Sequence, residues 1–131
     1  MNIIICGAGR VGFTIAKQLS EQGHSITVID QSSDDIQKIN DSLDVKAIVG
    51  KATYPSILEK ANASDSDMII AVTRNDEINM VICQIAFSIF NIPKKIARIR
   101  SQDYLNPKFT TVYNKENLPI DVIISPELEI A

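Results

Sequence analysis

Three glycines near the start of the chain have the spacing of a phosphate-binding turn. The segment Gly7-Ala8-Gly9-Arg10-Val11-Gly12 comes directly after an apolar run that predicts a strand. In such a turn the first glycine permits a tight bend, the second lets a pyrophosphate approach the backbone, and the third lets the following helix pack against the strand. The free N–H groups and the positive dipole end of that helix then face the phosphates. The segment therefore indicates a dinucleotide site, provided that a strand precedes it and a helix follows it.

An acidic residue follows at the separation expected for a partner of the adenosine ribose. Asp30 ends the second apolar segment of the chain, and a carboxylate in that position accepts hydrogen bonds from the ribose hydroxyls. Hydrogen bonds to a charged group contribute about 1.5–3 kcal/mol each, whereas a 2′-phosphate would meet like charge. The sequence therefore favours NAD or NADH over the 2′-phosphorylated cofactors. The alternative is a glycine turn followed by an unrelated surface aspartate.

Three further polar residues could reach the same ligand. Arg10 lies inside the glycine turn, where it either contacts a phosphate or projects into water. Thr73 follows the fourth predicted strand and either donates a hydrogen bond to the ligand or satisfies its own turn. Arg98 lies between Ile96 and Ile99 in a strand that we expect to be covered. Because a covered arginine needs an anionic partner, either a pyrophosphate or an internal carboxylate should lie beside it.

Strand-like and helix-like segments alternate along the whole chain, as in a parallel sheet covered by helices. Asn75 and Asp76 supply a cap and negative charge to the start of the fourth helix. The predicted strands are residues 2–6, 25–29, 46–49, 68–72, 96–99 and 122–124. The predicted helices are residues 11–21, 32–40, a short stretch from Pro55, 77–90 and 106–113. We expect an α/β fold with a doubly wound, mostly parallel six-stranded sheet, which places the glycine turn and Thr73 at one cleft.

The composition is that of one ordinary globular domain. The 131 residues are 45% hydrophobic and 22% charged, with a net charge of −3, so nothing in the overall charge favours nucleic acid or an anionic membrane surface. Cys6 and Cys83 each lie in an apolar run, which indicates buried thiols in a reducing cytosol. No signal peptide is evident, and the longest apolar stretch, residues 78–90, is shorter than the ~20 residues of a membrane span. We therefore expect a soluble chain without direct membrane insertion.

The helix predicted over residues 77–90 is apolar on nearly all sides. One of its faces can cover the sheet, and the rest needs a second cover. Association of subunits, at least into a dimer, is the favoured cover, and a further carboxy-terminal segment is the alternative. Residues 125–131 resemble the beginning of another element, with Pro126 suited to a first helical turn. We therefore expect residues 1–131 to be a single domain cut from a longer protein, with a naturally short protein as the alternative.

Taken together, these segments resemble the TrkA amino-terminal family, also called the KTN or RCK-N domain. The resemblance covers essentially the whole chain and is far more specific than the glycine turn alone. The motifs that carry it are Ile3-Ile4-Ile5-Cys6-Gly7-Ala8-Gly9-Arg10-Val11-Gly12, Val28-Ile29-Asp30, Gly50-Lys51-Ala52-Thr53, Ala71-Val72-Thr73-Arg74-Asn75-Asp76-Glu77-Ile78-Asn79 and Ala97-Arg98-Ile99-Arg100.

The resemblance implies a Rossmann-type domain that binds NAD or NADH, or ATP and ADP in some members. It implies a cytoplasmic subunit, peripheral at the inner face of the cell membrane, that regulates a membrane potassium channel or symporter. By motif position the phosphate loop is residues 7–11, the ribose acid is Asp30, the wall of the crevice is Thr73 with Arg74, the phosphate-facing arginine is Arg98, and Lys51 with Ala52 lies at the adenosine end. Members of the family commonly have an aspartate where this chain has Lys51, so its adenosine contacts should differ.

These observations favour a binding module over an enzyme. Nucleotide occupancy of the glycine turn would change how paired domains sit against each other, and so gate a membrane partner. The alternative is the cofactor domain of an NAD-dependent dehydrogenase that lacks its substrate domain, because the same fold serves hydride transfer widely. Against that alternative, histidine, lysine and carboxylate side chains do not gather at the predicted strand ends as an acid–base system.

Overall fold

A computed structural model of the chain describes residues 1–125. The strands are β1 (Asn2–Cys6), β2 (Ser25–Asp30), β3 (Lys46–Val49), β4 (Met68–Ala71), β5 (Lys94–Arg98) and β6 (Val122–Ile124). The helices are α1 (Arg10–Glu21), α2 (Ser33–Ser42), α3 (Pro55–Lys60), α4 (Asp76–Ser88) and α5 (Gln102–Leu105), with short 3-10 turns at Ala63–Asp65 and Thr110–Val112. The element expected from Pro126 onward lies outside the described residues.

The six strands form one parallel sheet, which confirms the predicted α/β fold. Their order is β3-β2-β1-β4-β5-β6, and every neighbouring pair is parallel. The chain runs outward from β1 to β3 on one side and from β4 to β6 on the other, so the order reverses between β1 and β4. In that pair Cys6 lies opposite Ala71. The segments that leave β1 and β4 therefore emerge side by side, where a doubly wound sheet places its ligand.

Both faces of the sheet are covered, as the uninterrupted apolar run of β1 predicts. Ile3 and Ile5 pack toward α1 and α2, whereas Ile4 and Cys6 pack toward α3 and α4. These four side chains are at most 2% exposed. The central strand is thus fixed from both sides, which gives the turn that follows it a rigid base. Among residues 1–125, no helix is both long and apolar enough to span a bilayer.

Helix α4 carries apolar residues on more than one side, and within residues 1–125 one of these sides is covered. Ile82, Cys83 and Ala86 are fully buried against the sheet. On other sides of the helix and just beyond it, Val81 is 45% exposed and Ile89 is 54% exposed. Cover by another subunit stays a prediction.

The prediction of a helix over residues 106–113 is wrong. Helix α5 ends at Leu105, and the short turn Thr110–Val112 is a separate element. Pro107 disfavours the helical conformation at the residue before it, and Asn106 is accordingly extended, with φ −60° and ψ 126°. The Asn106 side chain accepts a hydrogen bond from the Lys108 N–H at 3.0 Å. Proline and asparagine here form a turn that interrupts the apolar pattern.

Strand β5 begins two residues before the predicted start. The prediction left out Lys95, a charged residue that is buried in the structure because it is paired. Lys95 is 4% exposed, and its ammonium lies 3.1 Å from the Asp121 carboxylate. The ammonium also donates to the Ile92 carbonyl at 2.9 Å. An ion pair across the sheet thus lets a charged residue occupy a core position. The other predicted boundaries agree with the structure to within two residues at each end.

The two cysteines are free and buried, as expected. Burial raises the pKa of the Cys6 thiol far above its ordinary 9.0. Burial also raises the pKa of Cys83 to about 12, against a smaller lowering by the nearby Lys95 ammonium. Both groups are therefore neutral packing residues at physiological pH.

Folding stability should fall above pH 9 because both thiols ionise more readily in the unfolded chain. The unperturbed pKa is 9.0 and the folded values are higher. The stabilisation is thus complete below pH 9.0 and declines as the pH rises toward 12, by up to about 1.4 kcal/mol per pH unit for each thiol. Urea unfolding at about pH 7.5 and about pH 9.5 measures the decline. It should be shallower in Cys83→Ala, and an identical decline in that variant would contradict the assignment.

Candidate functional site

The carboxyl ends of the strands open onto a cleft of about 800 Å³. It lies above the point where the strand order reverses, the usual ligand position in an open α/β sheet. Of the site residues expected from the sequence, only Ala8 and Gly12 do not line this cleft. Those that line it are Gly7, Gly9, Arg10, Val11, Asp30, Lys51, Ala52, Thr73, Arg74 and Arg98. The other lining residues are Ile29, Gln31, Asp35, Gly50, Thr53, Val72, Asn75, Ile78 and Arg100. The structure therefore brings together segments that are far apart in the sequence.

The three glycines of the turn have three different surroundings. Gly7 has φ +119°, and a Cβ added to it would lie 2.8 Å from the Val72 carbonyl oxygen. A Cβ on Gly12 would overlap the carbonyl group of Gly7, so α1 packs against the turn itself. A Cβ on Gly9 would meet nothing within 4 Å. Gly7 and Gly12 are thus required by the fold, and Gly9 leaves open space at the start of α1.

Helix α1 directs its amino terminus at the cleft. Gly9 is its N-cap residue in an extended conformation, and the helix begins at Arg10, whose side chain is exposed. The first N–H groups of any helix lack intrahelical acceptors, and the helix dipole adds partial positive charge there. This end of the helix can therefore bind an anionic group such as a phosphate.

Asp30 holds the glycine turn against the end of β2. Its Oδ2 accepts a hydrogen bond from the Ala8 N–H at 2.7 Å, and its Oδ1 accepts one from the Ser32 N–H at 2.8 Å. The sequence predicted either a ligand contact or an unrelated surface aspartate, and neither interpretation includes this structural role. Because each carboxylate oxygen has two lone pairs, one on each oxygen stays available to a ligand in the cleft. Ala8, although outside the lining, thus positions the acid.

The β3 end of the cleft carries a lysine beside an aromatic ring. Gly50 donates its N–H to the Asp30 carbonyl at 2.9 Å, which ties the end of β3 to the end of β2. Lys51 is exposed, and its ammonium lies 5.3 Å from the centre of the Tyr54 ring. Ala52 is half-buried beside it. Lys51 thus brings a positive side chain to the same cleft as Asp30.

Thr73 uses its hydroxyl in the local structure. The hydroxyl donates to Asn79 Oδ1 at 2.6 Å, and the Thr73 N–H donates to the same oxygen at 3.0 Å. The Thr73 hydroxyl also accepts a hydrogen bond from the Asn75 N–H at 3.3 Å, and this contact agrees with the second interpretation, a hydroxyl that satisfies its own turn. Arg74, the next residue, is exposed at the rim of the cleft.

Two residues of α4 hold the segment at the end of β5, which forms the far wall of the cleft. Neither was expected in the site from the sequence. Asn79 is fully buried and donates to the Arg98 carbonyl at 2.7 Å. Asp76 accepts the N–H groups of Arg100 at 3.0 Å and Ser101 at 2.8 Å. The available signal was periodicity, because residue 79 belongs to the same buried stripe as residues 82, 83 and 86. A polar residue on such a stripe indicates a buried hydrogen-bonding partner.

The cleft is basic although the whole chain is acidic. Within residues 1–125, five of its lining side chains are basic, namely Arg10, Lys51, Arg74, Arg98 and Arg100, and two are acidic, Asp30 and Asp35. Arg98 reaches the cleft from β5 and is half-buried. Clustered positive charge in a cleft raises the local concentration of anions. The cleft is therefore suited to an anionic ligand. In residues 1–125 no group of three or more histidine, cysteine or acidic side chains could hold a metal ion.

Comparison with known proteins gives a consistent match. The sequence matches the TrkA-N domain over residues 3–126. The chain is 46% identical, over 99% of its length, to the Trk system potassium uptake protein TrkA of Azorhizobium caulinodans. It is 45% identical, over 97% of its length, to the protein of the same name from Haemophilus influenzae. The chain spans 28% of the length of each of these relatives.

Solved structures share the fold at low sequence identity. The TrkA-N domain of the Escherichia coli inner membrane protein ybaL superposes with a TM-score of 0.83 at 22% identity, covering 98% of this chain and 90% of that one. The GsuK channel bound to NAD superposes with a TM-score of 0.78 at 18% identity, covering 98% of this chain and 22% of that one. At these identities the structures show a common fold.

Proposed function

The chain belongs to the TrkA-N domain family, and we propose that it is the nucleotide-binding regulatory domain of a Trk-type potassium uptake system. The relatives that share 45% identity or more are potassium uptake proteins by name. The observation that carries the proposal is the cleft itself, where the start of α1 and five basic side chains surround one space of about 800 Å³. Such a cleft fits a ligand with a diphosphate at its centre.

The proposed ligand is NAD or NADH, with ADP and ATP as further possibilities. Its diphosphate would lie over Gly9 at the start of α1 and face Arg98 across the cleft. The free lone pairs of Asp30 would accept hydrogen bonds from the hydroxyls of the adenosine ribose, near Lys51. The GsuK channel, which has the same fold, has been solved with NAD and with ADP, and this supports both classes of nucleotide.

The regulation we propose is a change in how paired copies of this domain sit against each other when a nucleotide fills the cleft. Asp30 and Lys51 belong to the β1–β3 half, whereas Thr73 and Arg98 belong to the β4–β6 half. A ligand that contacts both halves of this continuous sheet favours the pairing of domains to which it binds more tightly, and it can shift that equilibrium only by the difference in its affinity for the two states. The shift would reach a membrane potassium transporter or channel subunit through protein contacts.

The proposed setting is a cytoplasmic assembly at the inner face of the membrane. The exposed apolar residues Val81 and Ile89 would be covered in a homo-oligomer, at least a dimer. Residues 1–131 would form one domain of a longer regulatory protein, in keeping with the 28% of the relatives' length that they span. Catalysis is not required, because a ligand that binds two states with different affinity is enough to shift the equilibrium between them.

Isothermal titration calorimetry with NAD, NADH, ADP and ATP tests the proposal. We expect saturable binding of at least one of them at one site per chain, weakened by added salt because the cleft is basic. Arg98→Ala should weaken it about tenfold, the effect of losing one charge-assisted hydrogen bond. The matched control is Lys17→Ala, which removes an exposed charge of α1 outside the cleft. Absence of binding by all four nucleotides, or equal losses in both variants, would overturn the proposal.

A further inference from the structure

A single buried amide connects three segments at the far wall of the cleft. Asn79, on α4, is 0% exposed. Its Oδ1 accepts from the Thr73 N–H at 3.0 Å and from the Thr73 hydroxyl at 2.6 Å. Its Nδ2 donates to the Thr73 carbonyl at 3.2 Å and to the Arg98 carbonyl at 2.7 Å. All four hydrogen-bonding positions of the amide are therefore used, and each partner belongs to a residue that lines the cleft.

We propose that Asn79 is a positioning residue of the ligand site, which fixes the exits of β4 and β5 relative to α4 and thereby sets where Arg98 meets the ligand. The inference rests on the proposed nucleotide-binding function and assigns to that site a residue that does not itself line the cleft.

The chemistry of the contacts excludes simple replacements. An apolar side chain of similar size would satisfy neither the Thr73 N–H nor the Arg98 carbonyl, and buried polar groups without partners are costly. A carboxylate could accept from Thr73 but could not donate to Arg98. Because one planar amide both accepts from the β4 exit and donates to the β5 exit, it fixes the spacing between them. Fully satisfied networks of this kind hold their members in one arrangement.

A purely structural role makes a different prediction from a positioning role. Ile82 lies on the same buried stripe of α4 and is also 0% exposed, but it packs in the core below the sheet edge and does not line the cleft. Ile82→Ala should thus destabilise the fold without moving the cleft wall. Asn79→Ala should weaken ligand binding because Arg98 is then misplaced. The same substitution should have no such effect in a chain that lacks the Arg98 side chain.

The test is a double-mutant cycle read by calorimetry with NADH, and with ADP as a second probe. Asn79→Ala should weaken binding about tenfold, whereas Ile82→Ala should change it less than about twofold. In an Arg98→Ala background the effect of Asn79→Ala should largely disappear. Asn79→Ser, which leaves a hydroxyl in place, is the second variant if the alanine chain does not fold. Chemical denaturation of each variant reports its stability separately.

Hydrogen exchange of the ligand-free chain gives a readout that does not depend on binding. The Thr73 amide should exchange faster in Asn79→Ala and at the native rate in Ile82→Ala, after correction for global stability. Equal losses of affinity with and without Arg98, or a loss in Ile82→Ala as large as that in Asn79→Ala, would overturn the inference. If the native chain binds neither nucleotide, the proposed function fails; if it binds them and Asn79→Ala binds equally well, only the present inference fails.

Discussion

Gly12→Ala should cost at least about 3 kcal/mol of folding free energy, the upper range for overpacking a core. The added Cβ would overlap the carbonyl group of Gly7. Because that group is backbone, no side-chain rotation relieves the overlap, and α1 must move away from the glycine turn. Such a loss is a large share of the about 5–15 kcal/mol that stabilises a typical domain. Urea unfolding of the variant beside the native chain measures it, and a loss below about 1 kcal/mol would contradict the packing described for this turn.

The matched variant is Gly9→Ala, which adds the same methyl group three residues earlier. A Cβ at this position meets nothing within 4 Å, and glycine and alanine differ modestly at an N-cap, by no more than about 1 kcal/mol. The fold should therefore persist, while the methyl group occupies space where we place the diphosphate. Gly9→Ala should bind NADH more weakly than the native chain. Gly12→Ala would thus report what the fold requires, through stability, and Gly9→Ala would report what the ligand requires, through NADH binding.

The near side of the cleft was predictable because local chemistry determines it. The apolar run of β1, the glycine turn and the stripe of α1 belong to consecutive residues, and each has one favoured structure. The start of α4 was equally readable, since Asn75 accepts the Ile78 N–H at 2.9 Å, as an N-cap should. Such features need no knowledge of the rest of the chain. Segments of this kind were therefore enough to predict the sheet and the position of the cleft.

The far wall was less predictable because its contacts join residues that are distant in sequence. Asn79 finds its Arg98 partner 19 residues away, and Asp76 reaches Arg100 and Ser101 across 24 and 25 residues. From one sequence, Asn79 is only a polar interruption of an apolar helix. Lys95 was excluded from β5 for the same reason, since its partner Asp121 is visible only in the fold. Polar residues whose partners are distant thus need the tertiary structure.

Asp30→Asn should weaken NADH binding about a hundredfold and narrow the preference for NADH over NADPH. Two ribose hydroxyls would lose a charged acceptor, and hydrogen bonds to charged groups contribute about 1.5–3 kcal/mol each. The same change removes the negative charge that would repel a 2′-phosphate beside Lys51, so NADPH should lose less affinity or gain some. Calorimetry with both cofactors on both chains measures the ratio.

The ratio is the informative quantity because Asp30 also holds the turn. The two carboxylate oxygens accept the N–H groups of Ala8 and Ser32 separately, whereas the amide that replaces the carboxylate in Asp30→Asn has only one acceptor oxygen. The donor left without a partner should cost about 1–3 kcal/mol of stability, and a distorted turn would weaken NADH and NADPH alike. A ratio that stays at the native value while both affinities fall would therefore assign Asp30 to the turn alone. A ratio of affinities that shifts toward NADPH would place the ribose hydroxyls on the Asp30 carboxylate. The reason is that the two cofactors differ only at the 2′ position, where the lost negative charge would have repelled the phosphate of NADPH.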